Sequence, residues 1–340
     1  MFLQGEFMHN ELFVFPDTIE LKKEEIGVCQ GKAFHIVFGI DDAFVEPMAV
    51  ATLSIKEHNP SLKIVVHLLV EKMNDKNIKC IKALADDNNI PFVIHYIDTK
   101  IFNKLPATLQ YTKATYNRFF VAKILKDYTD RALYIDADIL CFGDLSSLAT
   151  LDLKKHPIAG VDDRFIDGSL NMVSVNKMKN MGFCCNRYFN AGVLYINLPA
   201  WEAKRISEKA MNNLLKYGDE FDLLDQDALN SVMNNDVLFL ERKYDYMYSV
   251  DSPDNKIPNL DEIVLLHYTN RYKLWQAWCK HPLQKEYLRY KRNTPWGREG
   301  LRMPANYKEM RQMSKCMRRE GEYIKGLYWM LKYVIGKIRS

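Results

Sequence analysis

The sequence predicts a mixed α/β protein whose mostly parallel sheet is flanked by helices and followed by a basic helical extension. Apolar runs of strand length at residues 34–38, 63–70 and 92–97 alternate with segments of helical periodicity at 47–58 and 74–86. Strands that alternate with helices indicate a sheet covered on both faces. The composition agrees, because 48% of the 340 residues are hydrophobic and 26% are charged, as in ordinary globular proteins.

The second half of the chain continues this alternation with less regular spacing. Residues 115–128 have helical periodicity and lead directly into an apolar strand at 132–135. Further strands are predicted at 157–161, 192–196 and 263–267, and further helices at 201–217, from 225 onward and over most of 306–338. The polar segment that contains Asp136 therefore comes at the carboxyl end of a buried strand.

Charge is distributed unevenly along the chain. Residues 271–340 contain 18 Lys and Arg but only 5 Asp and Glu, whereas residues 1–270 have an acidic excess of −9. A basic terminus on an acidic body indicates a region that docks on an anionic surface, such as nucleic acid or a membrane with acidic lipids.

The N-terminus and the cysteines indicate a cytoplasmic protein. Residues 1–15 have neither a basic segment nor a continuous apolar segment of the kind found in signal peptides. The seven cysteines are odd in number and form no CxxC pair, so we interpret them as reduced thiols. No apolar run reaches the roughly 18 residues that a membrane-spanning helix needs.

Two acidic loops follow predicted strands, at the edge where open parallel sheets bind their ligands. The first, Gly39-Ile40-Asp41-Asp42, lacks the glycine spacing of dinucleotide and P-loop sites and could be a plain strand-to-helix turn. The second is Asp136-Ala137-Asp138, whose i, i+2 spacing on extended backbone puts both carboxylates on one side. Neighbouring carboxylates repel one another unless a cation lies between them, so this pair indicates Mg²⁺ or Mn²⁺.

Several other residues are candidates for the same site, although each also has an ordinary structural interpretation. His267 ends the last predicted strand and would favour Mn²⁺ as a ligand, but it could equally be a core histidine. Arg118 lies on an apolar helix, where a buried guanidinium needs an anionic or carbonyl partner. Lys273 could meet a diphosphate or simply be solvated. Asp225-Gln226-Asp227 repeats the acidic spacing, but there the aspartates could cap a helix.

Six ordered strings make the sequence resemble glycosyltransferase family 8, in particular its bacterial lipopolysaccharide core hexosyltransferases. They are FHIVFGIDD from Phe34, TYNRFFVAKIL from Thr115, LYIDADIL from Leu133, YFNAGVLYINL from Tyr188, DQDALN from Asp225 and HYTNRYKLW from His267. The resemblance implies a GT-A fold after an N-terminal lead-in of residues 1–33. The catalytic domain would cover 34–270, with a nucleotide-binding half at 34–140 and an acceptor half at 141–270. The basic aromatic region 271–340 would associate with a membrane.

The resemblance also implies roles for the matching residues. A UDP-hexose donor would be bound by Gly39, Ile40, Asp41, Asp42, Arg118, Asp136, Ala137, Asp138, Asn190, Ala191 and Lys273. Mn²⁺, for which Mg²⁺ could substitute, would be held by Asp136, Asp138 and His267. The catalytic residues would be Gln226, Asp225, Asp163 and Lys273, the last binding the departing diphosphate.

One of the strings departs from the family pattern. Similar proteins usually have glycine at the position of Asn270 and proline at that of Leu274, whereas Lys273 keeps its place. A side chain at position 270 would stand where the family pattern suggests a close approach of backbone to phosphate.

The reaction implied by the resemblance is transfer of glucose or galactose, with retention, to a hydroxyl of the lipopolysaccharide core oligosaccharide. Gln226 is an amide and hence a poor nucleophile, so we expect same-face attack in which the leaving phosphate accepts the acceptor's proton. Asp163 or Asp225 could instead act as a nucleophile. The lipid-linked acceptor implies an enzyme that is peripheral on the cytoplasmic face of the inner membrane.

Two other interpretations remain open on the residues alone. A metal-dependent nucleotidyltransferase also uses paired aspartates on an α/β sheet, but it releases pyrophosphate from a nucleoside triphosphate. A nucleic-acid-binding protein could use the basic C-terminus without any catalysis. The resemblance favours neither, and under it no nucleic-acid partner is expected.

Overall fold

The computed structural model describes residues 18–28, 33–98, 102, 105–106, 113–165, 167–233, 236–251 and 257–339. The chain divides into two compact units: Met1–Met247 with Asp261–His267, and Tyr248–Leu260 with Tyr268–Ser340. Residues 1–17 and 29–32 of the expected lead-in lie outside the described residues. The absence of a signal peptide over residues 1–15 therefore stays a prediction.

In the described residues, strands and helices alternate up to about residue 135 and follow a less regular order after it. The strands are β1 (Thr18–Leu21), β2 (Phe34–Gly39), β3 (Ile64–Val70), β4 (Phe92–Tyr96), β5 (Arg131–Ile135), β6 (Ile139–Cys141), β7 (Ile158–Asp162), β8 (Phe189–Asn197), β9 (Val237–Phe239), β10 (Tyr246–Ser249) and β11 (Leu265–Thr269). The helices are α1 (Lys23–Val28), α2 (Val45–His58), α3 (Asp75–Asn88), α4 (Val121–Leu125), α5 (Ser146–Ala149), α6 (Met172–Asn180), α7 (Leu198–Ala203), α8 (Ile206–Tyr217), α9 (Leu224–Met233), α10 (Gln284–Lys291), α11 (Tyr307–Arg319) and α12 (Tyr323–Ile338).

The main sheet has eight strands in the order β1-β4-β3-β2-β5-β8-β7-β9. The pairs β4-β3, β3-β2, β2-β5 and β7-β9 are parallel. The pairs β1-β4, β5-β8 and β7-β8 are antiparallel. A second sheet has the order β10-β11-β6. The predicted mixed, mostly parallel sheet flanked by helices is therefore confirmed.

The antiparallel strand β8 determines which segments meet at the carboxyl edge of the sheet. Ile135, the last residue of β5, pairs with Val193 of β8. The next residue, Asp136, donates its backbone N–H to the carbonyl oxygen of Gly192 at 2.9 Å. Because β8 runs in the opposite direction to β5, its first residues lie beside the end of β5. The Asn190-Ala191-Gly192 segment therefore adjoins the Asp136-Ala137-Asp138 loop.

Two predicted helices differ from their sequence pattern. Residues Lys113–Phe120 form a 3₁₀ helix, and α-helical geometry begins only at Val121. This tighter winding brings the Thr115 carbonyl within 3.0 Å of Nε of Arg118, three residues later. The helix predicted at 201–217 is two helices, α7 and α8, because Arg205 adopts a left-handed conformation with φ of 53°.

A chain of three buried histidines crosses the parallel part of the main sheet, and sequence periodicity carried no sign of it. Nδ1 of His35 lies 2.9 Å from Nε2 of His67, and Nδ1 of His67 lies 3.0 Å from Nε2 of His95. His67 lies two residues beyond Val65, which pairs with His35. His95 likewise lies two residues beyond Val93, which pairs with His67. Burial lowers the pKa of His35 and of His95 to about 4, so all three rings are neutral near pH 7.

The second unit contains the three last helices, which confirms the predicted helical extension. Asn306 caps α11 by accepting a hydrogen bond from the backbone N–H of Glu309 at 3.0 Å. Helix α12 packs closely on α11 at Gly326, whose carbonyl accepts from Oγ of Ser314 at 2.7 Å. Among the described residues, no helix is both long enough and apolar enough to cross a membrane.

Candidate metal and donor site

Two aspartates and a histidine meet at the carboxyl edge of the main sheet. Asp136 and Asp138 lie in the loop after β5, and His267 lies in β11. One ligand atom of each residue can be chosen so that all three lie within 4.8 Å of one another. Nε2 of His267 is 3.3 Å from Oδ1 of Asp138. Among the described residues this is the one group of three or more such side chains with that geometry, and it is the set expected from the sequence.

The chemistry of this group fits a divalent cation. Two carboxylates and an imidazole nitrogen are ligands that Mn²⁺ accepts, and the carboxylates alone suit Mg²⁺. Burial raises the pKa of Asp136, and although Arg118 opposes that change, the nearby carboxylate of Asp138 adds to it. A cation between the two carboxylates would remove this repulsion. The three side chains are therefore a candidate set of ligands for a divalent cation.

His267 is held in place by two neighbours that sequence analysis missed. Oδ1 of Asp245 lies 3.1 Å from Nδ1 of His267, so Nε2 is left to face Asp138. Burial alone would lower the pKa of His267, but Asp138 and Asp245 outweigh it and raise that pKa well above its usual value. On its other side the ring lies against Gly192, where a methyl group would stand 2.4 Å from Cε1. A carboxylate on the distal nitrogen is the usual way to orient a metal-binding histidine.

Asp245 itself is fully buried. It lies just before β10, its exposed fraction is 0%, and its Oδ2 has no hydrogen-bond partner among the described residues. A buried carboxylate is costly unless a cation or several donors stabilise it. The available sequence signal was an acidic residue between the aromatic residues Tyr244 and Tyr246, which periodicity alone does not distinguish from a surface position.

Arg118 connects the metal-ligand loop to α9. Its NH2 donates to Oδ1 of Asp136 at 3.0 Å, and its Nε lies 3.1 Å from Oδ2 of Asp225. Its NH1 donates to the carbonyl of Ala191 at 2.5 Å. The guanidinium also lies over the Tyr134 ring, with Cζ 4.7 Å from the centroid, and the residue is only 4% exposed. The expected anionic and carbonyl partners of this buried arginine are both present.

Gln226 is hydrogen-bonded to two other predicted site residues. Its Oε1 accepts from the backbone N–H of Ala191 at 2.8 Å, and its Nε2 donates to Oδ2 of Asp163 at 2.6 Å. The neighbouring Asn190 accepts from the backbone N–H of Gly192 through Oδ1 at 2.8 Å. The structure thus places Asp163, Gln226 and Ala191 in one hydrogen-bonded group, and Asn190 adjoins this group as the residue before Ala191.

The two aspartates of the DQD string have different surroundings. Asp225 is buried against Arg118, whereas Asp227 accepts from the Tyr188 hydroxyl and from the backbone N–H groups of Asp222 and Leu223. Asp227 therefore holds the start of α9 in place. The suggestion that both aspartates only cap a helix applies to Asp227 alone, because Asp225 faces the arginine.

Asp163 and Asp225 are carboxyl groups whose pKa values are raised above the usual value for aspartate. Burial raises the pKa of Asp163 to about 6, although the hydrogen bond from Gln226 opposes that change. Burial likewise raises the pKa of Asp225 to about 6 despite the adjacent Arg118. Carboxyl groups that titrate close to neutral pH are typical of sites where a proton or a charged ligand is handled.

The Gly39–Asp42 loop follows β2, the strand next to β5. Asp41 caps the short 3₁₀ helix Asp42–Phe44 by accepting from the backbone N–H of Ala43 at 2.9 Å. Asp42 accepts from the backbone N–H of Asn74 at 2.9 Å and from Nδ2 of Asn77 at 3.0 Å. These hydrogen bonds give both aspartates a structural role in the loop. The side chain of Ile40 is buried. Whether the loop also contacts a nucleotide stays a prediction.

Lys273 belongs to the second unit. Its ammonium donates to the carbonyl of Tyr268 at 3.0 Å, and its backbone N–H donates to Oε1 of Gln276 at 2.9 Å. Asn270, which replaces the family's usual glycine, has a φ of 69° and donates from Nδ2 to Oγ of Ser249 at 3.0 Å. Asparagine tolerates this left-handed conformation better than most residues, which explains how the departure from glycine is accommodated.

Comparison with known proteins agrees with this geometry. The sequence model described as "Glycosyl transferase family 8" matches residues 35–279, and the model of its C-terminal region matches residues 281–337. A lipopolysaccharide 1,3-galactosyltransferase of Salmonella typhimurium is 31% identical over 90% of this chain and 91% of its own length. A lipopolysaccharide 1,2-glucosyltransferase of Escherichia coli is 28% identical over 90% of this chain and 91% of its own length.

Solved structures identify the fold. The galactosyltransferase LgtC, in complex with donor and acceptor sugar analogs, matches with a TM-score of 0.64 and 23% sequence identity. The match covers 77% of this chain and 96% of LgtC. The expected GT-A fold is therefore confirmed, and the family match favours a glycosyltransferase over the nucleotidyltransferase and nucleic-acid-binding alternatives. The chain belongs to glycosyl transferase family 8 and is a glycosyltransferase with the GT-A fold.

Proposed function

We propose that this enzyme transfers glucose or galactose from a UDP-hexose to a hydroxyl of the lipopolysaccharide core oligosaccharide. The names of two relatives support the acceptor class, since one acts as a lipopolysaccharide galactosyltransferase and the other as a lipopolysaccharide glucosyltransferase. Because the relatives use different hexoses, they support the hexose class and not one epimer. The linkage formed would be α, with retention of the donor's configuration.

The observation that carries this proposal is the cluster of Asp136, Asp138 and His267 with Arg118 beside it. We propose that these three ligands hold Mn²⁺, with Mg²⁺ as a substitute. When bound, the ion would neutralise charge on the diphosphate leaving group. Arg118, which already bonds Asp136, would keep that ligand oriented and add positive charge on the donor side of the site.

The donor sugar would lie against Asp163, Asn190, Ala191 and Gln226. In a transition state with oxocarbenium character, positive charge develops on the sugar ring, so nearby carboxylates are favourable. Asp163 is the carboxylate of this group, and the Gln226 amide fixes its position through the 2.6 Å hydrogen bond. We therefore propose that Asp163 stabilises the positive charge that develops on the sugar. Asp225, which is paired with Arg118, would contribute less to this stabilisation.

We propose same-face attack rather than a covalent intermediate. The Gln226 carbonyl oxygen already accepts a hydrogen bond from the Ala191 N–H, so its lone pairs are partly engaged, and amides are weak nucleophiles. The acceptor's proton would then pass to the departing phosphate. Replacing Gln226 with alanine should lower turnover without trapping a sugar on the protein, and mass spectrometry of the reacting enzyme would detect an adduct that contradicts this mechanism.

Two further donor contacts are proposed from the family pattern. Gly39, Ile40, Asp41 and Asp42 would contact the uridine, because their loop follows the strand adjacent to β5. Lys273, which follows His267 by six residues in the same string, would bind the diphosphate. Replacing Lys273 with methionine should slow turnover of a UDP-hexose more than it weakens binding of the intact UDP-hexose, since the added charge on the departing group appears in the transition state.

The C-terminal helix α12 supports a peripheral position on the cytoplasmic face of the inner membrane. Its apolar side chains are largely exposed, with Ile324 at 87%, Leu327 at 62% and Leu331 at 56%. Lysines and aromatic residues accompany them along the helix, a composition typical of interfacial helices. Serine at Ile324 and Leu331 should release the protein from anionic vesicles, as deletion of residues 306–340 should. Serine at Val173, an exposed apolar residue of the first unit, should not.

Release of UDP is the first test of the catalytic proposal. Purified enzyme would be incubated separately with UDP-glucose and UDP-galactose, with Mn²⁺ or with a chelator, and without acceptor. Slow metal-dependent hydrolysis of one donor would support the proposal and identify the hexose. Failure to bind UDP or to hydrolyse either donor would contradict it.

A further inference from the structure

A shallow cavity in the second unit is lined almost entirely by hydrogen-bond donors. Its volume is about 520 Å³, and its walls are formed by Tyr272, Gln312, Lys315, Arg318 and Arg319. The last four lie on α11 at positions 312, 315, 318 and 319. Residues spaced by three or four positions share one face of a helix, so the three cations point in one direction.

The cations of this cavity lack acidic partners among the described residues. No described carboxylate oxygen lies within 4.0 Å of the charged nitrogens of Lys315, Arg318 or Arg319, and Lys315 and Arg319 are exposed. Elsewhere on the hairpin formed by α11 and α12, by contrast, the ammonium of Lys325 is 3.1 Å from a carboxylate oxygen of Glu322. Three neighbouring positive charges repel one another, and an anion between them would remove that repulsion.

The uncharged residues of the cavity complete a set of donors. The Tyr272 hydroxyl donates to Oε1 of Gln312 at 2.7 Å. This hydrogen bond occupies the acceptor end of the amide, so the Nε2 donor of Gln312 is available to a ligand. A planar guanidinium and an amide N–H are suited to the several acceptor oxygens of a phosphate group.

The position of these cations near the end of α11 does not account for the whole cluster. Basic residues in the last turn of a helix stabilise its carboxyl end, which would explain Arg318 and Arg319 but neither Lys315 nor Gln312 one turn earlier. An adjacent cavity of about 360 Å³ shares Tyr272 and Arg319, but there Asp251 and Glu320 balance the positive charge. The excess of positive charge is therefore confined to the first cavity.

We propose that Lys315, Arg318, Arg319, Gln312 and Tyr272, none of which is a proposed donor contact, form a binding site for a phosphate monoester. The phosphate could belong to a phosphorylated saccharide or to the headgroup of an anionic lipid. Both sources present the same dianionic group to the same donors. This site does not depend on the proposed sugar transfer, because none of its residues takes part in the catalytic proposal.

Binding of two probes to the full chain would test the site. Glucose 6-phosphate would be titrated by calorimetry without divalent metal, and phosphatidic acid would be presented in phosphatidylcholine vesicles. Replacing Lys315 and Arg319 with alanine should weaken binding of the recognised probe by about tenfold or more, since charge-assisted hydrogen bonds are lost. The matched control replaces Lys79 and Lys82 with alanine, two exposed lysines on α3 of the first unit that do not line the cavity, and should change binding by less than about twofold.

The outcomes separate the sources and can overturn the proposal. Selective loss of glucose 6-phosphate binding would identify a saccharide phosphate, and selective loss of vesicle binding alone would identify a lipid headgroup. Equal weakening by both double variants would mean that only net charge matters, which would overturn the site. Absence of binding by the unaltered protein to either probe would overturn it as well. Thermal unfolding of each variant would verify that the hairpin remains folded.

Discussion

Replacing Gly192 with alanine should displace the proposed metal ligand His267 while leaving the sheet intact. A methyl group at position 192 would stand 2.4 Å from Cε1 and 2.9 Å from Nδ1 of His267, whereas ordinary contact begins at 3.4 Å. The ring would therefore have to retreat by about 1 Å, several times the roughly 0.2 Å tolerance of metal-ligand distances. We expect the affinity for Mn²⁺ to fall by about tenfold or more, comparable to the loss of an orienting partner.

Gly160 provides a matched control in the same sheet. A methyl group there would meet Cδ2 of Leu194 at 3.6 Å, which is ordinary contact, so alanine at Gly160 should leave Mn²⁺ affinity within about twofold of the original. Isothermal titration with Mn²⁺ would measure both variants, and thermal unfolding would verify that they fold.

A double-mutant cycle would test whether the effect acts through the imidazole. If His267 is already alanine, adding alanine at Gly192 should weaken Mn²⁺ binding no further, because the ring that the methyl group displaces is gone. Additive losses would refute the reasoning, as would unchanged Mn²⁺ affinity in a folded Gly192→Ala protein.

The remaining predictions concern other buried polar groups of the first unit. Replacing Asp245 with leucine should weaken Mn²⁺ binding by about 10- to 100-fold in calorimetry, and asparagine, which still offers an acceptor to Nδ1 of His267, should weaken it less; equal effects would contradict an orienting role. His35 has a pKa of 6.5 when unfolded and about 4 when folded, so the stability that it contributes above pH 6.5 is lost progressively as the pH falls towards 4. The free energy of unfolding falls between about pH 7.5 and about pH 5, and in the His35→Phe variant this fall should be smaller by about 2 kcal/mol in urea titrations. An equal fall in the variant and the original protein would contradict the burial argument. Replacing Arg118 with lysine should lower UDP release markedly, because one ammonium cannot serve Asp136, Asp225 and the Ala191 carbonyl together; near-normal UDP release would contradict this.

The aspartates of the candidate metal cluster could be predicted because Asp136 and Asp138 come directly after an apolar strand, where the carboxyl-edge rule expects ligands. His267 was expected to end a strand, but it lies in the middle of β11, a strand of the second sheet. Arg118 was recognisable as a charge in an apolar helix whose burial demands a partner. In each case the signal was local contrast between one polar residue and its apolar neighbours.

Asp245 and Gly192 could not be predicted in the same way. Asp245 precedes a short strand with a mixed polar and aromatic pattern, and its burial depends on packing that no local pattern expresses. Glycine is required at position 192 because the ring of His267, 75 residues later in the chain, lies against it. The φ angle of Gly192 itself does not require glycine. Long-range contacts of this kind follow from the sheet order, which the sequence pattern left open.

The hydrophobic pattern of the sequence also could not predict the direction of strand β8. Its apolar run predicts a buried strand but carries no sign of whether the strand is parallel or antiparallel to its neighbours. The antiparallel arrangement decides that Asn190 and Ala191 lie beside Asp136 rather than at the opposite edge. The site therefore depends on a topological choice that only the folded chain reveals.

The chain of His35, His67 and His95 has a consequence for how its protons are arranged. A neutral imidazole donates from one nitrogen and accepts at the other, so both hydrogen bonds form only when the three tautomers share one sense along the chain. Reversing one ring breaks a bond unless the other two reverse with it. The three rings thus behave as one unit with two tautomeric orders, and nitrogen chemical shifts should change for all three histidines together or for none.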